Sequence, residues 1–207
     1  FIYSPSENGQ AHVPAAGPVS AACYVEDVEQ DPGLIFDGLT KNHRYPGWRV
    51  GWTLGPAPMI EAMARTGSAI DGGPSRVAQR AALEALEPSR ADQETDALRE
   101  VFCAKRNLMV ERLKDMGVRF AAEPSGTFYC WGDLSALPAP FNDGVGFFER
   151  ALQHKVMTVP GEYFDVDPGK ERQGDSPYKQ WMRFSFGPPM DNMVMGLDRL
   201  QAMLDRG

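Results

Sequence analysis

Apolar residues recur along the chain with two different periods, and the change of period marks its elements. Leu34, Ile35 and Phe36 form a short run of strand length, ended by Asp37 and Gly38. A second strand-like run, Val50 to Leu54, follows a turn at Tyr45-Pro46-Gly47. Helical spacing takes over after Pro58, where Met59, Ile60, Met63 and Ala64 recur on one face until Gly72-Gly73-Pro74 interrupts. Ser75 is placed to cap a helix whose Ala78, Ala81, Ala82, Ala85 and Leu86 share a face, and those small side chains predict close packing. From about Asp92 to Met116 a long amphipathic pattern carries Leu98, Val101, Phe102, Met109, Leu113 and Met116, and Gly117 stops it. The Arg, Lys and Glu interleaved there read as a solvated face.

Beyond Gly117 the elements shorten. Val118 to Ala122 and Thr127 to Trp131 read as strands around a Pro124-Ser125-Gly126 turn, and Asp143 can cap a helix with Val145, Phe148, Ala151 and Leu152 inward. Val156 to Val159 reads as a strand stopped by Pro160, and Asp165 to Pro177 as a polar, turn-rich and mobile segment. Strict alternation in Trp181-Met182-Arg183-Phe184-Ser185-Phe186 puts Met182, Phe184 and Phe186 on one side of a strand and Arg183 on the other. A last helix after Pro188-Pro189 presents Met193, Leu197, Leu200 and Leu204. The N-terminal stretch begins on a strand-like Phe1-Ile2-Tyr3 and continues from Ser4 to Gly33 as a long connection with one helical turn near Val19 to Ala22. The pattern suits a small α+β domain beside a larger α/β one, with residues 1–91 in the larger, 92–117 as a linking helix and 118–207 in the smaller.

Composition narrows the function. A length of 207 residues with 43% hydrophobic and 24% charged content is that of an ordinary globular protein with a sizeable core. A net charge of -7 leaves no basic stripe to displace counterions from nucleic acid or to hold an anionic membrane. No apolar run approaches the length of a bilayer span. Cys23, Cys103 and Cys130 are irregularly spaced, which fits reduced thiols in the cytoplasm and neither a disulfide framework nor a zinc site. His12 has no cysteine or carboxylate at ligand spacing, and His43 and His154 lie in basic, polar surroundings, so no metal is expected.

The corner between the first two strands holds the candidate chemistry. Lys41 and Arg49 flank the turn, and the first is an amine that can lose its proton whereas the second is a guanidinium that cannot. A lysine can form an imine with an aldehyde while an arginine forks onto a phosphate, so a phosphorylated aldehyde cofactor would use both. Two solvated cations in a polar loop fit the same spacing, and the residues alone leave both open. Arg183, flanked by aromatics on a strand, needs a partner for its charge, which an internal ion pair or ring contact would also supply.

Asp37-Gly38-Leu39-Thr40-Lys41 followed by Pro46-Gly47-Trp48-Arg49-Val50-Gly51-Trp52 resembles the lysine motif of class I/II aminotransferases, pyridoxal-phosphate (PLP) enzymes of fold type I. Arg183-Phe184-Ser185 resembles the Arg-x-Ser motif of that family, and Pro124 to Tyr129 and Val156 to Gly161 resemble its small-domain segments in the same order. The resemblance implies a PLP-dependent transferase-like α/β fold, Lys41 as the Schiff-base lysine, Arg49 and Thr40 on the cofactor phosphate, and Arg183 on the substrate carboxylate. Phe128 is read as an edge of the substrate pocket or as core packing. The resemblance further implies amino acid and 2-oxo acid substrates, a homodimer with the region after Gly72 at its interface, although an interdomain contact within one chain would explain the alanines there equally well, and the carboxyl-terminal half of a longer protein that would turn over little alone. A β-lyase or decarboxylase, or a sensor domain of a transcriptional regulator, shares those motifs. The Ser68 to Ser75 segment, read as a loop, carries no arginine to pair a second substrate carboxylate, which disfavours aspartate and glutamate as donors.

Overall fold

The computed structural model describes residues 20–206, so Phe1 to Tyr3, His12 and Val19 lie outside the described residues. Two compact units divide the chain between Leu98 and Arg99, inside a single long helix. That boundary falls within the stretch 92–117 expected to link two domains.

In the first unit, β1 (Ile35–Gly38) and β2 (Gly51–Leu54) pair antiparallel, with Ile35 opposite Leu54 and Gly38 opposite Gly51. The two glycines are required by the closeness of the backbones. A Cβ on Gly38 would stand 2.8 Å from the Val50 carbonyl oxygen and 2.9 Å from the Gly51 Cα. Helix α1 (Ala57–Ile70) begins at proline and α2 (Arg76–Ala85) follows the glycine break. Ser68 to Ile70 therefore end α1, and the loop expected over Ser68 to Ser75 is shorter by those residues. Ser75 occupies the cap position of α2, but its side chain makes no capping hydrogen bond there. Leu39, Val50 and Ala82 form the buried cluster, with Tyr45, Trp48, Trp52 and Ala78 packed against it. The predicted face of α1 does not reach it: no residue of α1 is buried, and Met59 and Met63 are exposed.

Helix α3 (Pro88–Asp115) runs through the unit boundary and ends at Gly117, whose φ of 93° lets the chain turn left-handed. The Val118 amide donates to the Leu113 carbonyl at 2.9 Å and the Gly117 amide to that of Lys114 at 2.9 Å, the reciprocal pattern that satisfies a helix's last carbonyls. The expectation of a wholly solvated charged face on α3 is corrected here. Lys105 and Arg106 are 7% and 4% exposed. Lys105 Nζ donates to the Pro188 carbonyl at 2.7 Å, and Arg106 lies 3.6 Å from the Glu123 carboxylate. Partners distant in sequence make burial of these charges tolerable.

The second unit is built on a three-stranded antiparallel sheet in the order β3 (Tyr129–Asp133), β5 (Trp181–Ser185), β4 (Val159–Pro160). The strand expected over 118–122 shrinks to one bridge, Arg119 opposite Asp133, because the helix-ending turn spends Val118 on α3. Strand β4 is likewise shorter than expected and includes Pro160, which an edge position tolerates. Helix α4 (Gly144–Gln153) starts at Asp143, whose carboxylate accepts from the Gly146 amide at 2.8 Å. Its buried face is Gly144, Phe147 and Ala151, not the expected Val145, Phe148 and Leu152, of which Leu152 is exposed. Helix α5 (Met190–Leu204) buries Met193, Leu197, Leu200 and Met203. The alternation of β5 holds, with Met182, Phe184 and Phe186 buried. Within 165–177, Arg172 pairs with Asp165, whose carboxyl is held below its usual range by a hydrogen bond from Ser176 and then by Arg172.

All three cysteines are free. Burial pushes the Cys130 thiol up to about 12, so it stays protonated and unreactive, and Cys103 is buried as well. Cys23 is exposed. Under native conditions a thiol-specific disulfide reagent at pH 8 is expected to modify Cys23 alone, and all three thiols in denaturant. Rapid modification of Cys130 in the folded chain, read by peptide mass mapping, would contradict the packing of β3.

Candidate active site

The lysine corner is framed by two buried residues. Leu39 and Val50 continue the β1–β2 ladder by one bond, the Leu39 amide donating to the Val50 carbonyl at 3.0 Å. Both side chains are in the core, whereas Lys41 and Arg49 are exposed. Thr40 and Lys41 follow Leu39 into the turn, and Arg49 immediately precedes Val50 on the returning side. The loop closes on itself: the Tyr45 amide donates to the Leu39 carbonyl at 3.0 Å, and Pro46–Trp48 form a turn of 3-10 helix. Tyr45 and Trp48 stack at 4.2 Å.

Arg49 ends that turn in the left-handed region, at φ 55° and ψ 39°. Such a conformation is uncommon for a residue other than glycine, and it is held here by a bond from the guanidinium Nη1 to the Pro46 carbonyl at 2.9 Å. Among the described residues no salt bridge ties Arg49 to a carboxylate. Asp37 serves the loop from its other side, its Oδ1 accepting from the Gly38 amide at 2.7 Å and from Asn42 Nδ2 at 3.0 Å. Arg44 is committed to Glu94. Thus an amine, a hydroxyl and a guanidinium lie at one end of a short ladder, a donor set suited to an aldehyde bearing a phosphate.

The second anchor lies in the other unit. Arg183 is on the central strand β5, with Trp131 of β3 opposite on one side and Val159 of β4 on the other. Its guanidinium stands 4.2 Å from the Tyr129 ring centroid and 4.6 Å from that of Phe164. Among the described residues no salt bridge joins it to a carboxylate. It lines a cavity of about 540 Å³ together with Tyr129, Trp131, Phe164 and Tyr178. Phe128 does not line this cavity and packs against Phe102 and Tyr129 instead. Sequence reading found Arg183 through its strand but missed the rings around it, because Trp131, Phe164 and Tyr178 come from separate segments and share no period. Thr127, also on the cavity wall, is at φ 64°, whereas the sequence pointed to Gly126 as the turn residue. Among the described residues there is no cluster of metal-binding side chains, and no helix is long and apolar enough to cross a membrane.

A family model described as aminotransferase class I and II matches residues 2–200. The chain is 33% identical over 173 residues to an aspartate aminotransferase of Thermotoga maritima, covering 83% of this chain and 40% of that protein. It is 33% identical over 174 residues to an aspartate/prephenate aminotransferase of Thermus thermophilus, covering 84% and 41%. A solved structure of Thermus thermophilus aspartate aminotransferase with maleate superposes with a TM-score of 0.69 at 31% identity, over 82% of this chain and 41% of that one. The chain thus spans about two fifths of the length of the relatives it matches.

Proposed function

The chain belongs to the class I and II aminotransferases, and on that premise we propose that it serves a PLP-dependent transfer of an amino group between an amino acid and a 2-oxo acid. The observation that carries this is the hairpin end at which Thr40, Lys41 and Arg49 stand beyond the buried pair Leu39 and Val50. Lys41 Nζ would hold the cofactor's aldehyde carbon and, when released, move a proton at the substrate Cα. Arg49 would fork onto the phosphate, with the Thr40 hydroxyl donating beside it. Arg183 would orient the substrate by its carboxylate, fixing which bond at Cα is loosened. Bound pyridoxal phosphate supplies the electron sink for the charge that develops at Cα. We read the assembly as a homodimer, which the exposed apolar residues Ile70, Val77 and Leu83 support, and its location as the cytoplasm, which the three free thiols support.

Borohydride reduction of the chain incubated with pyridoxal phosphate, followed by peptide mass mapping, tests the reading without needing turnover. The pyridoxyl label is expected on Lys41 and absent from Lys41→Ala. Arg49→Ala is expected to raise the half-saturating concentration about tenfold, the worth of one charge-assisted bond. Label scattered over surface lysines, or undiminished in Lys41→Ala, would remove the assignment.

A further inference from the structure

The cavity beside Arg183 has walls of a definite kind, and they bear on which carboxylates it admits. Among the described residues Arg183 is the one charged side chain lining it, and four of its other walls are the rings of Tyr129, Trp131, Phe164 and Tyr178. Trp131 braces them: it meets Phe164 edge-on at 5.6 Å, Tyr178 edge-on at 5.6 Å, and stacks on Trp181 at 6.0 Å. A wall fixed by mutual ring contacts is preformed and loses little freedom when a ligand arrives.

From this arrangement we propose that the site selects carboxylates bearing a flat aromatic side chain over aliphatic dicarboxylates, an inference that rests on the reading of Arg183 as carboxylate anchor. Tyr129 and Phe164 hold the guanidinium carbon at 4.2 and 4.6 Å from their ring centroids; a ring stacked on a guanidinium takes its π face and leaves the in-plane N–H groups for a carboxylate. The rest of a bound molecule then lies against ring faces. These carry the negative side of the aromatic quadrupole, which repels a second carboxylate and accepts a ring edge or an offset stack. Among the described residues no second cation lines the cavity to neutralise a distal carboxylate. A volume of about 540 Å³ is in the range of small-molecule pockets and has room for a bicyclic side chain. The names of the relatives reported above carry aspartate, and one of them prephenate as well.

The experiment is calorimetric titration of the 207-residue chain with 3-phenylpropionate and with succinate. The aromatic acid is expected to bind about tenfold more tightly, the effect of one or two ring contacts. Arg183→Met is expected to abolish the binding of both, and Trp131→Leu to bring the two affinities within about threefold by weakening the aromatic acid. Circular dichroism identifies a variant that has not folded, for which Tyr178→Leu replaces Trp131→Leu as the test of the wall. Equal affinities in the unaltered chain, both lost in Arg183→Met, would overturn the aromatic preference and keep Arg183 as the anchor. Binding unaffected by Arg183→Met, or no binding of either acid, would overturn both.

Discussion

Replacing Phe147 by alanine is expected to destabilise the second unit by about 3–5 kcal/mol, the usual cost of deleting a fully buried aromatic ring. Phe147 is 1% exposed and meets Phe184 edge-on at 5.9 Å, so it joins α4 to the central strand of the sheet. Removing it leaves a cavity against β5, where Met182 and Phe186 on the same side are themselves fully buried and have little room to collapse inward. Phe148, its neighbour in sequence, is less deeply placed, and Phe148→Ala is expected to cost much less. Urea denaturation of the two variants side by side decides the matter. Equal losses, or a larger one for Phe148→Ala, would mean that α4 is rotated about its axis relative to the packing described.

The second large effect is local. Gly38→Ala is expected to abolish cofactor labelling at Lys41 while Gly47→Ala in the same loop leaves it nearly intact. The added methyl at position 38 would stand 2.8 Å from the Val50 carbonyl oxygen and 2.9 Å from the Gly51 Cα, both backbone atoms that cannot swing aside. The strands must part, and the bond from the Leu39 amide to the Val50 carbonyl is the next rung to be lost. Overpacking of this kind typically costs about 1–3 kcal/mol, and here it falls on the rung that holds Lys41 and Arg49 at a common end. A methyl at position 47 meets nothing within 4 Å. Measured by borohydride labelling, similar behaviour of the two variants would show that strand spacing does not govern the lysine.

These sites differ in how far the sequence disclosed them. The lysine corner was readable because its parts are neighbours: a strand, a glycine-marked turn and a second strand fit within one hairpin, and local periods describe such units well. Strand β5 was readable for the same reason, since alternation is a property of consecutive residues. Helix α4 was not, because Phe147 and Phe148 are equally apolar and adjacent, and periodicity cannot say which of two faces about 100° apart meets a sheet. Nor could sequence show that Lys105 and Arg106 are buried. Their partners, the Pro188 carbonyl and Glu123, reach them through the tertiary fold. The aromatic lining around Arg183 belongs to the same class, assembled from β3, the turn after β4 and the segment before β5.

The β1–β2 ladder has a consequence for anyone handling the chain. Among the described residues it has two strands, so each strand offers its outer row of amide and carbonyl groups to whatever extended backbone comes near. Phe36 and Leu54 are exposed on the same strands, adding an oily surface to that invitation. Concentrated solutions should therefore lose material through sheet extension between molecules, beginning at this hairpin, and a peptide that docks on its rims would act as a solubiliser.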